Sequence, residues 1–380
     1  MAVSRRNALR KIGATAFAGA ALPWLGSSHH AVLVNSLTSE ERTGPIRLDK
    51  NENPYGPSAK AVAAMQEALG YAHRYPDGDA LREKIAILHK VKPQQVVLGC
   101  GSSEILSMAC DAFLSADKKL VLASPTYGLM AQYAARKGAQ VSAVPLTPRF
   151  EHDLQAMLAH SGPATGLAYI CNPNNPTGSL TPRHGLEEFL LKLPPDIPVV
   201  MDEAYHHYVG ATGPFYTSFI ERPVDDKRLI VVRTFSKIFG LAGARIGYAV
   251  ASPEIAARLS QRRVQFGENT IGLAAAMAAL DDTEHLQTSL KRNGDERQEF
   301  FNRAIFIHLR MVDSHTNFVL LNTYRPAEEV IDFFRAKNIL LGPPVPSMKT
   351  YVRISMGLPE EMREFWRVLA LMPPIPGGHH

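Results

Sequence analysis

The sequence predicts an α/β protein with a mainly parallel sheet covered by helices on both faces and a smaller α+β domain near the end of the chain. Three observations carry this. Short apolar runs rich in β-branched residues recur between residues 95 and 251, reading as continuous buried strands rather than half-exposed alternating ones. Several of the stretches between them place apolar residues at i, i+3 and i+4, as in 104–113, the spacing of one helix face. After about residue 272 the texture changes, with a small-residue helix, a long polar helix and two isolated strand-like runs.

In chain order, the first segment stands apart. Ser4-Arg5-Arg6-Asn7-Ala8-Leu9-Arg10 is charged, and 12–25 is apolar and free of charge. That run is short of the roughly 20 residues a membrane span needs. Charge followed by a short apolar run is the grammar of an export signal, and the adjacent arginines are similar to the twin-arginine type. Residues 1–35 are therefore set aside as an export signal, or an anchor if uncleaved. Residues 36–74 are expected to join the small domain, 75–271 to form the large domain, and 272–380 to complete the small one. Strands are expected at 95–99, 119–123, 140–144, 166–171, 198–202, 229–233 and 247–251, then at 317–321 and 351–355. Helices are expected at 273–280 and around 284–303.

The chain of 380 residues has 46% apolar and 20% charged residues and a formal net charge of +5, ordinary values for a globular protein of two domains. Its Lys and Arg residues are scattered and no basic block interleaves with aromatics, so nucleic-acid binding has no support. The three cysteines, Cys100, Cys110 and Cys171, show no metal-binding spacing and read as free thiols.

The chemistry-bearing residues sit where strands end. Asp202 closes the run at 198–202, the edge at which α/β sheets bind ligands. Lys237 follows the run at 229–233, and Arg245 comes eight positions after Lys237. Alone, a strand-end Asp is often a structural cap and a lone Lys is usually solvated. In a confined site with cations nearby, such a lysine has a depressed pKa and becomes a nucleophile. After 96–98, Gly99-Cys100-Gly101-Ser102-Ser103-Glu104 leads into a helix. Glycines allow close approach, and free N–H groups at a helix start attract phosphate. Nucleotide-binding folds use the same device.

Together these blocks resemble the fold-type I pyridoxal-phosphate aminotransferases. Ser236 to Tyr248 carries S-K-x-x-G-L-A-G-x-R-I-G-Y, Asp202 to Tyr205 reads D-E-A-Y, and Asn172 to Gly178 reads N-P-N-N-P-T-G. The resemblance spans about 47–360. It implies the three-layer α/β/α aspartate-aminotransferase-like fold and pyridoxal 5′-phosphate as cofactor. It casts Lys237 as the amine that carries the cofactor and later moves protons, and Asp202 as the partner that keeps the pyridine nitrogen protonated. Asn175 and Tyr205 would meet the cofactor's phenolic oxygen, and Tyr127 would stack on its ring. Ser102, Ser103, Thr234, Ser236 and Arg245 would hold the phosphate.

Asp49 to Pro57, Arg74 to Asp77, Asn317 to Leu320 and Val352 to Gly357 are similar to segments of the histidinol-phosphate aminotransferase subfamily. This implies that Tyr55 reaches the cofactor phosphate of a partner subunit in a homodimer, and that Arg353 grips a substrate α-carboxylate. One departure stands out. The subfamily's arginine for a substrate phosphate follows the apolar run that here is Ile339-Leu340-Leu341, and this chain has Gly342-Pro343-Pro344 there. The expected substrates are thus an α-amino acid and a 2-oxo acid. Histidinol-phosphate transamination itself, another reaction of the same cofactor (decarboxylation or oxidation), and a non-catalytic exported binding protein are the alternatives. His206, His207 and the residues around Ser347 are candidates for the side-chain pocket, although packing is the commoner role for both histidines. Replacing Arg5 and Arg6 together by Lys is expected to hold the folded protein in the cytoplasm, as cell fractionation would show. Unchanged export would remove the twin-arginine reading.

Overall fold

The computed structural model describes residues 44–209, 215–224 and 226–373. The arginine pair and apolar run at the N-terminus lie outside the described residues. The elements run β1 (Ile46–Leu48), α1 (Ala59–Ala68), α2 (Asp79–His89), β2 (Val96–Cys100), α3 (Ser102–Phe113), β3 (Lys119–Ser124), α4 (Leu129–Arg136), β4 (Gln140–Pro145), α5 (Leu154–Ala159), β5 (Thr165–Cys171), α6 (Arg183–Lys192), β6 (Val199–Asp202), β7 (Leu229–Thr234) and β8 (Ile246–Val250). They continue with α7 (Pro253–Ser260), α8 (Thr270–Leu280), α9 (Thr283–Phe306), β9 (Arg310–Met311), β10 (Phe318–Asn322), α10 (Ala327–Arg335), β11 (Ile339–Leu341), β12 (Tyr351–Ser355) and α11 (Pro359–Leu369).

The first large feature is a seven-stranded sheet in the order β2-β8-β7-β6-β5-β3-β4. Strands β3 to β7 run parallel, while β8 lies antiparallel between β7 and β2. The sheet is thus mainly parallel with one reversed strand. Its central strands β5 to β7 are buried at every position because both faces are covered, and they are apolar except toward their ends. In β5, Ala168 and Ile170 enter one core while Leu167, Tyr169 and Cys171 enter the other. Val199 and Met201 of β6 divide from Val200 in the same way. Each expected strand of this sheet is present, displaced by a residue at most at either end.

The reversed strand has a local consequence. Antiparallel pairing sets Cys100, the last residue of β2, against Ile246, the first of β8. Arg245, just before β8, therefore lies beside the loop that starts α3. The two backbones approach so closely that a Cβ on Gly247 would sit 2.3 Å from the Ser102 nitrogen.

The C-terminal part has its own sheet, β12-β10-β9, and its own core around Phe300, Phe334 and Phe365. Helix α10 buries Ala327, Val330, Ile331 and Phe334, the i, i+3, i+4, i+7 stripe of a helix lying on a core. The N-terminal strand β1 pairs in parallel with β11, Ile46 opposite Ile339, and Leu48 belongs to this same core. The chain thus enters through the C-terminal core before passing to the large sheet, which carries 49–55 past the strand ends of that sheet.

Gly247→Ala is expected to destabilise the protein by about 1–3 kcal/mol, because the methyl meets backbone that cannot move aside. Urea unfolding of the protein without cofactor checks this. An unchanged midpoint would show that the start of α3 has room.

Candidate active site

The carboxyl ends of β5, β6 and β7 lie side by side, and each delivers a functional residue. The loop after β5 brings Asn175, β6 ends on Asp202, and the turn after β7 brings Lys237. All three line one cavity of about 740 Å³. Strand parity decides which acid faces it. Asp202 points into the cavity, while Glu203 turns to the opposite side and is buried against Arg233 at 2.9 Å and Ser218 at 2.6 Å.

One end of the cavity is an anion cradle. Gly101 starts α3 with φ +74° and no side chain caps the helix, so the first N–H groups remain available to an anion. Ser102, Ser103, Thr234, Ser236 and Arg245 line this end. Arg245 Nη1 donates to Ser236 Oγ at 3.3 Å, and Nη2 to Ser103 Oγ at 3.5 Å. A Cβ on Gly101 would fall 2.2 Å from Arg245 Nη2, so glycine is what admits the guanidinium. Hydroxyls, helix N–H groups and a forked cation fit a phosphate.

The middle of the cavity holds the amine and its acid. Lys237 Nζ donates to the carbonyls of Lys50 and Asn51, each at 3.1 Å. Burial, aided by Arg353, lowers its pKa to about 8. Burial raises that of Asp202 to about 6 against the pull of the Tyr169 hydroxyl and the Ala204 N–H. Lys237 is thus close to giving up its proton and Asp202 is close to keeping one. Tyr127 also lines this part, and burial together with the nearby Asp202 raises its pKa. The Tyr205 hydroxyl accepts from Asn51 Nδ2 at 2.9 Å and from Asn175 Nδ2 at 3.4 Å.

At the far wall, Arg353 Nη1 donates to Asn175 Oδ1 at 2.7 Å and Nη2 to the Asp49 carbonyl at 2.6 Å. Its Nε is fully buried with no acceptor. Gly342 lies against this side chain, and a Cβ there would stand 2.9 Å from Nε. Glycine at 342 removes one cation from the wall and makes the space in which another sits. Pro343, Pro344, Leu341 and Arg335 complete this side.

Of the twelve residues to which the sequence reading gave a catalytic or binding role, eleven line this cavity, and Tyr55 lies outside the cavity of its own subunit, beneath the Arg292 guanidinium at 4.7 Å. His206 and His207 do not line it. His206 pairs with Glu221 at 2.8 Å and Tyr216 at 3.0 Å, and His207 packs edge-on against Phe239, where burial holds it neutral. Asn51 is a residue whose role the sequence reading did not assign. It adopts φ +54°, a conformation Asn tolerates better than most residues. Its amide reaches Tyr205, its carbonyl receives Lys237, and its N–H donates to Ser355 Oγ at 2.8 Å.

The family model for aminotransferase class I and II matches residues 43–369. The chain belongs to the class I and II aminotransferases. This aminotransferase is 36% identical over 327 residues to the histidinol-phosphate aminotransferase of Moorella thermoacetica, covering 85% of this chain and 84% of that protein. It is 39% identical over 301 residues to that of Brevibacillus brevis, covering 79% and 82%. The structure of the histidinol-phosphate aminotransferase of Sinorhizobium meliloti in complex with pyridoxal-5′-phosphate superposes with a TM-score of 0.80 at 29% identity, covering 87% of this chain and 90% of that one.

A lysine reacts with an aldehyde as the neutral amine, so below a pKa of about 8 protonation withholds the nucleophile. The aminotransferase without cofactor is expected to capture pyridoxal phosphate faster as pH rises, with the curve levelling above that value. Stopped-flow absorbance between about pH 6 and about pH 10 measures it, and a flat profile would contradict a depressed Lys237 pKa.

Proposed function

We propose that this aminotransferase transfers the amino group of an α-amino acid to a 2-oxo acid on pyridoxal 5′-phosphate, as an exported homodimer. One observation carries the substrate reading: the Arg353 guanidinium, whose buried Nε has no acceptor, lines the same cavity as Lys237. A buried cation with an unpaired donor calls for an anion, and an α-carboxylate supplies one.

The cofactor, when bound, supplies an aldehyde that takes up amino groups and a ring that withdraws electrons from the substrate's α-carbon. The chain's residues do the rest. The cradle of Ser102, Ser103, Thr234, Ser236 and Arg245 takes the phosphate. Asp202 presents a carboxylate to the pyridine nitrogen. Arg353 orients the substrate by its carboxylate, with Asn175 between it and Tyr205. Lys237 would hold and return the proton of the substrate's α-carbon. A pKa near neutrality suits both halves of that transfer.

Two features support a dimer. Tyr55 faces away from its own cavity, and Tyr75 and Phe266 stack at 4.4 Å while largely exposed, an apolar surface suited to a partner. Export rests on the arginine pair and the uncharged apolar run that follows it.

Histidinol phosphate is the second reading, because the relatives carry that name and because Arg335 lines the cavity beyond Gly342. A side-by-side kcat/KM comparison with a panel of α-amino acids, using 2-oxoglutarate as acceptor, separates the two. The α-amino acids are expected to lead, and a preference for histidinol phosphate would overturn the carboxylate reading. Gly342→Ala is expected to push Arg353 aside and raise KM for the best amino acid by about tenfold, the weight of one hydrogen bond to a charged group. Cofactor uptake should stay unchanged.

A further inference from the structure

The Asp202 carboxylate depends on a residue that touches neither the cavity nor its contents. Tyr169 lies on β5 opposite Val200, so Asp202 is two residues further along β6 on the same face of the sheet, a diagonal an aromatic side chain can span. The ring of Tyr169 is fully buried in the core beside Cys171 and Val200. Its hydroxyl donates to Asp202 Oδ2 at 2.8 Å, while Ala204 N donates to Oδ1 at 3.1 Å. A phenylalanine would pack the same space. The added oxygen at the end of a buried ring needs a partner, and here that partner is the fully enclosed Asp202 carboxylate.

We propose that Tyr169 is a positioning residue that keeps Asp202 ionised and aimed into the cavity, and thereby keeps the proton of the Asp202–pyridine pair on the nitrogen. The reasoning runs through competition for that proton. Charged and titratable groups face Asp202 from several elements: Lys237 after β7, Glu203 behind it, Tyr127 before α4, Tyr205 in its own loop, and Cys171 on β5. Of these Lys237 favours the carboxylate, and Lys237 loses its charge whenever it works as a base. The Tyr169 hydroxyl does not titrate in this range, because burial and the adjacent Asp202 raise its pKa well above the ordinary value. With the Ala204 N–H on the other oxygen, it is a constant neutral donor that stabilises the carboxylate through the cycle, and it is the larger of the two contributions. Without it, the Asp202 oxygen becomes more basic and takes the shared proton: an O–H bond forms on the carboxyl as the N–H bond on the ring breaks, with no change in total charge.

The test is Tyr169→Phe, loaded with ¹⁵N-labelled pyridoxal phosphate and observed by nitrogen NMR without substrate, so that it does not depend on which amino acid the enzyme uses. In the wild type the ring nitrogen is expected at the pyridinium position around neutral pH. In the variant it is expected to move toward the neutral-pyridine position, and kcat for the best amino acid to fall by about tenfold to a hundredfold with KM little changed, as for one hydrogen bond to a charged group. Adding Tyr169→Phe to Asp202→Asn should produce no further nitrogen shift, since the carboxylate is already gone. An unmoved nitrogen resonance in a folded, loaded Tyr169→Phe protein overturns the proposal, whatever the activity. Should that variant fail to fold, Tyr169→Gln, which keeps a donor, is compared with Tyr169→Leu, which has none. The glutamine protein should hold the pyridinium position and the leucine protein lose it, and identical spectra would again overturn the proposal.

Discussion

Burial acts against charge on Asp202, Lys237 and Arg353 alike, and the cavity exists because the fold imposes that burial on all three together. Removed from water, the lysine loses its proton more easily, and the carboxyl group holds one more tightly. The arginine keeps its charge and donates to Asn175 and the Asp49 carbonyl. None of these side chains would be reactive on the surface. Desolvation is tolerable because each group has a partner, or an open position that a ligand completes. The cost of holding them is met by the apolar layers on both sides of the sheet, where strands β5 to β7 bury every residue.

Topology supplies the positions. Parallel strands bring three successive carboxyl ends to one edge, and the reversed strand β8 returns Arg245 to the loop after β2. The cradle therefore joins residues far apart in sequence without any long loop having to be ordered for the purpose. Segment 49–55 closes the site from the side of the C-terminal core. Asn51, with its left-handed backbone, links Lys237, Tyr205 and Ser355, so strain at one residue holds elements from both parts of the chain in register.

The large sheet was legible because apolar runs buried on both faces contrast sharply with the helices between them. Lys237, Asp202 and Arg245 were legible because short motifs surround them. Asn51 and Tyr169 were not. Asn51 acts mainly through backbone groups whose direction depends on a positive φ that composition does not display. Tyr169 sits in an apolar strand, where its hydroxyl is invisible until the register of β5 on β6 is known. Gly342 was legible only in part. Its missing charge could be read from the sequence, whereas the space it leaves for Arg353 is a tertiary fact. His206 and His207 adjoin a catalytic motif, yet the chain turns at Tyr205 and carries both away from the cavity, His206 onto Glu221 and Tyr216 and His207 onto Phe239.

The central claim is that Lys237 is the amine that holds the cofactor. Borohydride reduction of the purified, loaded protein, followed by proteolysis and mass spectrometry, tests it most directly. The account predicts a single phosphopyridoxyl adduct, on the peptide that contains Lys237. Attachment to any other lysine, with Lys237 unmodified, would contradict it.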